Sequence, residues 1–296
     1  MNKLLYVLLI FLISCSPNDD KKARELMDIL SANDEMLHSP SPGEWLYEHK
    51  EKGQTFKEYL LCSPVTPSDS LNIIYLQPIG DFDSLKLSLI QYTAEYLQIL
   101  YGCKTKVLRT LNNSIVPDSA KRIGRDGNEQ LLAPYILNEV LKKSIPKKAI
   151  AYMAITEKDL YPKPSWNFVF GLATYKARVG VTSMYRFADY GMDSTNYRIC
   201  LRRLIKTSSH EIGHMFSIHH CTHALCAMNG TNHIAETDSK PNRFCSECTA
   251  KVIWNFKLDT LNRLKQLHSY FSKYKLTDDD DRIMADIQLL GKEGYK

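Results

Sequence analysis

The stretch TSSHEIGHMFSIHHC, residues 207–221, concentrates side chains that can hold and use a metal ion. His210 and His214 are four apart, so on a helix they project from one face and both imidazoles can reach a single ion. Glu211 lies about 100° round the same helix, close enough to hold a metal-bound water without ligating the metal itself. His219 and His220 follow five and six positions after His214, and either could supply a third nitrogen if the helix ended in between. Zinc held by three protein nitrogens keeps an open fourth position, and its charge lowers the pKa of a bound water towards neutrality. The chemistry indicated is metal-assisted hydrolysis. A solvated helix carrying the same pattern by chance is the plain alternative, because bare HExxH has a real false-positive rate. The third histidine and the cysteines downstream argue against it.

Those cysteines are Cys221, Cys226, Cys245 and Cys248: C-x4-C, a gap of eighteen residues, then C-x-x-C. This is the ligand spacing of a closed structural zinc site, which would staple the loop after the active helix to the start of the next helix. Two local disulfides are the competing arrangement if the chain is exported. A C-x-x-C disulfide closes a tight, strained loop, which favours zinc. Met228, between the cysteine pairs, reads by itself as a core methionine.

The elements around these residues read as an α/β chain with a mixed sheet backed by helices. LNIIYLQ (71–77), KTKVLRT (104–110), AIAYMAIT (149–156), NFVFGLAT (167–174) and ARVGVTSMY (177–185) are strand candidates. A helix over 84–101 between the first two makes a βαβ unit, which favours parallel neighbours. Further helices are expected over 22–37, 129–143, about 194–216, 246–268 and 279–290. Proline and glycine at 40–43, Pro64 and Pro67 break up the segment before residue 71.

At this point a family pattern becomes visible. HEIGHMFSIHHC-THAL-C-A-M resembles the archaemetzincins, whose pattern is HExxHxxGxxHC-x4-C-x-M followed by CxxC. NFVFGLA, NIIYLQPIGDF and the segment NGTNHIAETDSKPNRFC add to the likeness, which spans about residues 71–268. The resemblance implies a compact metzincin-like catalytic domain hydrolysing peptide bonds. It implies catalytic zinc on His210, His214 and His220, Glu211 as general base, structural zinc on the four cysteines, and Met228 as the Met-turn floor beneath the metal. It selects His220 over His219, and it implies two zinc ions per chain. It also implies a sheet-edge strand that aligns extended substrate, which resembles the strand near 180–185. Two positions depart from the pattern. Ser217 stands where the family has glycine, at a helix end whose positive φ costs a non-glycine residue roughly 1–2 kcal/mol. The loop from Met228 to Cys245 holds sixteen residues, one fewer than the pattern has.

The chain has 296 residues, with 44% hydrophobic and 10% aromatic content, enough to bury a core and unlike a disordered chain. Its net charge of +5 is dispersed, with no basic stripe interleaved with aromatics, so nucleic acid is not an expected partner. Residues 4–13 form an apolar run too short to span a bilayer and of the length of a secretory core. Leu12-Ile13-Ser14-Cys15 resembles the lipobox of bacterial lipoproteins, and Asp19-Asp20 resembles a surface-export signal. Residues 1–14 are expected to be a signal peptide, with Cys15 lipidated and the protein anchored at the cell envelope by lipid alone. A tether and extension (15–70), a metallopeptidase domain (71–275) and a charged C-terminal helix (276–296) follow. Cys62, Cys103 and Cys200 have no assigned role and are expected as buried free thiols.

A peptide or protein is the expected substrate. Hydrolysis of non-peptide amides or esters would use the same chemistry. A zinc-stabilised binding lipoprotein with weak catalysis is a further alternative, and the 16–70 extension is a candidate cover for the cleft.

Overall fold

The computed structural model describes residues 17–188 and 191–295; the expected leader and Cys15 lie outside the described residues. Helix α1 (Pro17–Leu30) begins inside the stretch expected as a tether and stops seven residues before the expected end. Its buried face is Ala23, Leu26 and Leu30, at helical spacing, and Asp20 accepts a hydrogen bond from the Trp254 indole at 2.6 Å. Two short helices follow, α2 (Trp45–Glu48) and α3 (Phe56–Leu61). The second starts with a capping box, in which the Thr55 side chain accepts from the Glu58 N–H while the Glu58 carboxylate accepts from the Thr55 N–H.

The expected βαβ unit is present. Strand β1 (Ile73–Ile79) leads into α4 (Ser84–Tyr101), and β2 (Lys104–Val107) returns parallel to β1. Asp83 caps α4 by accepting from the Lys86 N–H at 2.8 Å, and Gly102 ends it at φ 63°. The expected helix over 129–143 is only partly one. Strand β3 (Lys121–Ile123) pairs antiparallel with β4 (Glu129–Leu132), so the helical segment starts later, as α5 (Ala133–Tyr135) running into a π-helical turn (Ile136–Leu141). Strands β5 (Ala149–Thr156) and β6 (Asp159–Tyr161) come next, and β6 lies parallel to β4 in a small three-stranded sheet.

Strands β7 (Gly171–Ala173) and β8 (Val179–Ser183) complete the main sheet, whose order is β2-β1-β5-β8-β7. All pairings are parallel except β7 with β8. Every residue of β5 is buried, as a central parallel strand requires: Ala151, Met153 and Ile155 face one core and Tyr152 and Ala154 the other. The strand expected at the sheet edge, near 180–185, is β8, which lies inside the sheet. The edge is β7, because the chain turns back after residue 173 and places Gly171–Ala173 outside β8.

Helix α6 (Tyr197–Met215) crosses the sheet and is followed by α7 (Ile234–Ser239), α8 (Ser246–Phe256), α9 (Thr260–Tyr274) and α10 (Thr277–Lys292). The single helix expected over 246–268 is two, because Lys257 turns left-handed at φ 51° and Asp259 caps a new start through the Asn262 N–H. Cys103 and Cys200 are buried free thiols as expected; Cys62 is exposed at the end of α3. Among the described residues no helix is long and apolar enough to cross a membrane.

Candidate metal centre

Helix α6 is held from two sides. Leu201, Leu204, Ile205, Ile212 and Met215 are fully buried in the core. The Tyr101 hydroxyl at the end of α4 donates to the Ser209 carbonyl at 2.6 Å. His210, Glu211 and His214 sit in its last turns and face a cleft. The helix then stops in a Schellman motif: the Ile218 N–H donates to the Gly213 carbonyl at 3.0 Å and the Ser217 N–H to the His214 carbonyl at 2.9 Å. Ser217 adopts the left-handed conformation at φ 67°, so the serine accepts the strain that the glycine of the resembled pattern avoids.

This turn brings His220 back beside the helix. One nitrogen from each of His210, His214 and His220 lies within 4.8 Å of the others, and the Nε2 atoms of His210 and His214 are 3.0 Å apart. His219 points elsewhere: it is exposed, its ring centroid 5.3 Å from that of Tyr175. Each clustered histidine has its Nδ1–H engaged. That of His210 donates to the Ala227 carbonyl at 2.9 Å, that of His214 to the Ile218 carbonyl at 2.7 Å, and that of His220 to the Glu51 carboxylate at 2.8 Å. The tautomer is thereby set and Nε2 left free as a ligand atom. Burial pushes His210 down to about 3 and His214 well below its ordinary value, so both are neutral and ligand-competent at pH 7. The donor set suits zinc.

Glu211 is buried beside this trio, and burial pushes its carboxyl up to about 8. It lies against the edge strand: a Cβ added to Gly171 would fall 2.5 Å from a Glu211 carboxylate oxygen. Met228 is fully buried beneath α6, and a Cβ on Gly213 would meet its sulfur at 2.5 Å. Met228 and the helix that carries His210 and His214 are thus in direct contact.

The four cysteines converge next to this floor. All are buried free thiols whose sulfurs lie within 4.8 Å of one another. The Cys226 sulfur accepts N–H bonds from Met228 at 3.4 Å and from Cys245 at 3.3 Å, a pattern that favours thiolate. Hydrogen bonds from Cys226, Cys245 and Cys248 hold the Cys221 thiol below its usual range, while burial pushes Cys226 up. Asn229 shapes the loop by donating to the Cys221 and Ala224 carbonyls and accepting from the Cys226 N–H. Four sulfurs gathered this way fit a tetrahedral zinc.

Residues 17–70 take part in both clusters. Asp34 accepts from the Ser246 N–H at 3.0 Å at the start of α8 and pairs with buried Arg243 at 2.7 Å. Gln54 donates to the Ser217 carbonyl at 3.0 Å, and Trp45 packs edge-on against His220 with centroids 5.0 Å apart. The cleft, a cavity of ≈ 500 Å³, has Trp45, Trp166, Phe168 and Tyr175 among its walls. Trp45 thus brings the extension to the wall of the cleft. Glu51 and Gln54 carry no signal in the sequence, because nothing in their local pattern announces a partner so far along the chain.

Peptidase family M54 matches residues 134–253. Archaemetzincin-2 of Pongo abelii is 34% identical over 271 residues, covering 78% of this chain and 72% of that protein. Archaemetzincin of Pyrococcus furiosus is 30% identical over 183 residues, covering 61% of this chain and 92% of that protein. Among solved structures, archaemetzincin from Methanopyrus kandleri superposes with a TM-score of 0.52 at 27% identity, covering 66% of this chain and 100% of that one.

Proposed function

The chain belongs to the archaemetzincin family of zinc metallopeptidases, and from that premise we propose that it cleaves peptide bonds with His210, His214 and His220 holding the catalytic zinc and Glu211 as general base. One observation carries this reading: three imidazoles with engaged Nδ1 atoms and a buried carboxyl share one wall of an aromatic-lined cleft. Zinc bound there supplies Lewis acidity and an open coordination position. Glu211 takes a proton from the attacking water and returns it to the leaving amine. Strand β7 presents a free edge to the cleft, where an extended peptide adds as a further strand and main-chain hydrogen bonds align its carbonyl. Gly171 lets that edge approach Glu211 closely.

Cys221, Cys226, Cys245 and Cys248 would hold a second zinc, which would fix the loop that carries Met228. The leader pattern and Cys15 support an exported protein anchored by lipid at a bacterial envelope. Labelling with a palmitate analogue that depends on Cys15 tests the anchor.

The decisive experiment is metal content and peptide-library cleavage for the wild type and Glu211→Ala. Two zinc ions in both proteins, with cleavage in the wild type alone, supports the assignment. Wild-type rates from Glu211→Ala overturn the mechanism, and turnover of other acyl substrates without peptide cleavage overturns the substrate class.

A further inference from the structure

We infer that Glu51, on the loop between α2 and α3, is the positioning residue of the third zinc ligand, so that the N-terminal segment is part of the metal centre. The inference rests on the zinc-site reading above and goes beyond it.

The three histidines are oriented by different means. His210 and His214 donate to carbonyls of the segment 218–227, immediately downstream of α6. His220 has no such backbone partner; its Nδ1–H donates to both oxygens of Glu51, at 2.9 and 2.8 Å, across 169 residues. It is also the ligand most in need of orientation, since it lies beyond the helix, after the strained Ser217.

The loop that carries Glu51 is pinned. On its C-terminal side the Lys52 carbonyl accepts from the Thr222 hydroxyl at 3.3 Å. Gly53, at φ 73°, lies so close to Thr222 that a Cβ would fall 2.2 Å from its hydroxyl oxygen. Gln54 donates to the Ser217 carbonyl and accepts from the His219 N–H at 3.3 Å, so it grips the strand of chain on either side of Ile218. Lys251 donates to the Gln54 carbonyl. On the N-terminal side Trp45 packs against the His220 ring, and its backbone N–H donates to Glu236 at 3.0 Å. A carboxylate held this firmly against a ligand's distal N–H fixes the ring plane and raises the basicity of the ligating nitrogen.

The Methanopyrus archaemetzincin is matched over its full length by 66% of this chain. About a third of the present protein therefore has no counterpart there.

The test is cobalt and zinc titration of the full-length protein and its Glu51→Ala, Glu51→Gln and Thr55→Ala variants. Thiolate-bound cobalt has intense near-ultraviolet charge-transfer bands that imidazole-bound cobalt lacks, so the two sites are read separately. Glu51→Ala is expected to weaken zinc at the histidine site by about 10–100-fold and to shift its cobalt spectrum, leaving the thiolate bands unchanged. Glu51→Gln, which still accepts the hydrogen bond without the charge, should fall between wild type and Ala. Thr55→Ala loosens the start of α3 but leaves Glu51 in place, and should bind as wild type does. Wild-type affinity and spectrum in Glu51→Ala, or an equal loss in Thr55→Ala, would overturn the inference. A wild type that takes up metal only at the thiolates would instead overturn the three-histidine assignment itself.

Discussion

Gly171 and Glu211 are in contact across the gap between the sheet edge and the active helix. A single methyl group on Gly171 would overlap the carboxylate, at 2.5 Å from its oxygen and 2.8 Å from its carbon. The edge strand and the Glu211 carboxyl are therefore placed by each other.

Gly171→Ala should displace the Glu211 carboxyl while leaving the three histidines alone. A displacement near 1 Å of a reacting group costs up to about 100-fold in rate. The expected result is kcat lowered about 10–100-fold with zinc content unchanged, measured by steady-state cleavage and elemental analysis. An unaltered kcat would mean that Glu211 tolerates the shift or plays no part.

Ser217 at φ 67° carries strain that glycine would not. Ser217→Gly should raise stability by about 1 kcal/mol, seen as a Tm higher by about 2–4 °C. Ser217→Val should lower it, because a β-branched residue is less tolerant of this conformation. A melting series on the three proteins decides, and a lower Tm for the glycine variant contradicts the strain argument.

Stepwise chelation should separate the two metals. The histidines line the open cleft, whereas the four sulfurs are buried. Peptidase activity is expected to vanish with loss of the first zinc while the fold persists. Loss of the second should coincide with unfolding, because structural zinc is coupled to folding. Following activity, thiol titre and circular dichroism together checks the order; thiols exposed before activity is lost would reverse it.

Lys206 is buried in α6, where its ammonium donates to the Thr237 carbonyl at 2.7 Å and to that of Lys240. Burial pushes it down to about 7 from an ordinary 10.5. Between those values the unfolded chain holds a proton that the folded chain has released, so this group's contribution to stability rises with pH. Its burial cost is full below about pH 7 and fades towards 10.5. The stability of Lys206→Met relative to wild type should therefore be greatest at pH 6–7 and decline steadily towards pH 9.5. A pH-independent difference in denaturant midpoints would refute the shift.

Much of the architecture around the site was legible in the sequence because it is local. The helix over 84–101 matches α4 end to end, since Asp83 and Gly102 are capping residues whose types announce their roles. The buried run at 149–156 is β5. The helix expected over 246–268 was too long because Lys257 is a poor signal for a left-handed break; only Asp259 marked the restart. The segment at 129–132 is a strand because β3 and β6 flank it, a tertiary cause that no window of sequence contains. Within the site, the spacing of His210, Glu211 and His214 could be read directly. The choice of His220 over His219 depended on a family resemblance; the turn at Ser217 brings His220, and not His219, beside His210 and His214. Glu51 was invisible, since its significance lies wholly in what folds against it.

The partnership of Glu51 with His220 also bears on when the metal centre can exist. Its members are 169 residues apart, and Asp34 is similarly distant from Ser246. Contacts of such span carry the entropy of closing a long loop, which the rest of the core must offset. A chain whose N-terminal segment has not yet packed against residues 217–222 has the His210 and His214 pair but not a His220 held by Glu51. The three-histidine arrangement thus belongs to the finished fold, and the fragments that precede it lack one of its supports.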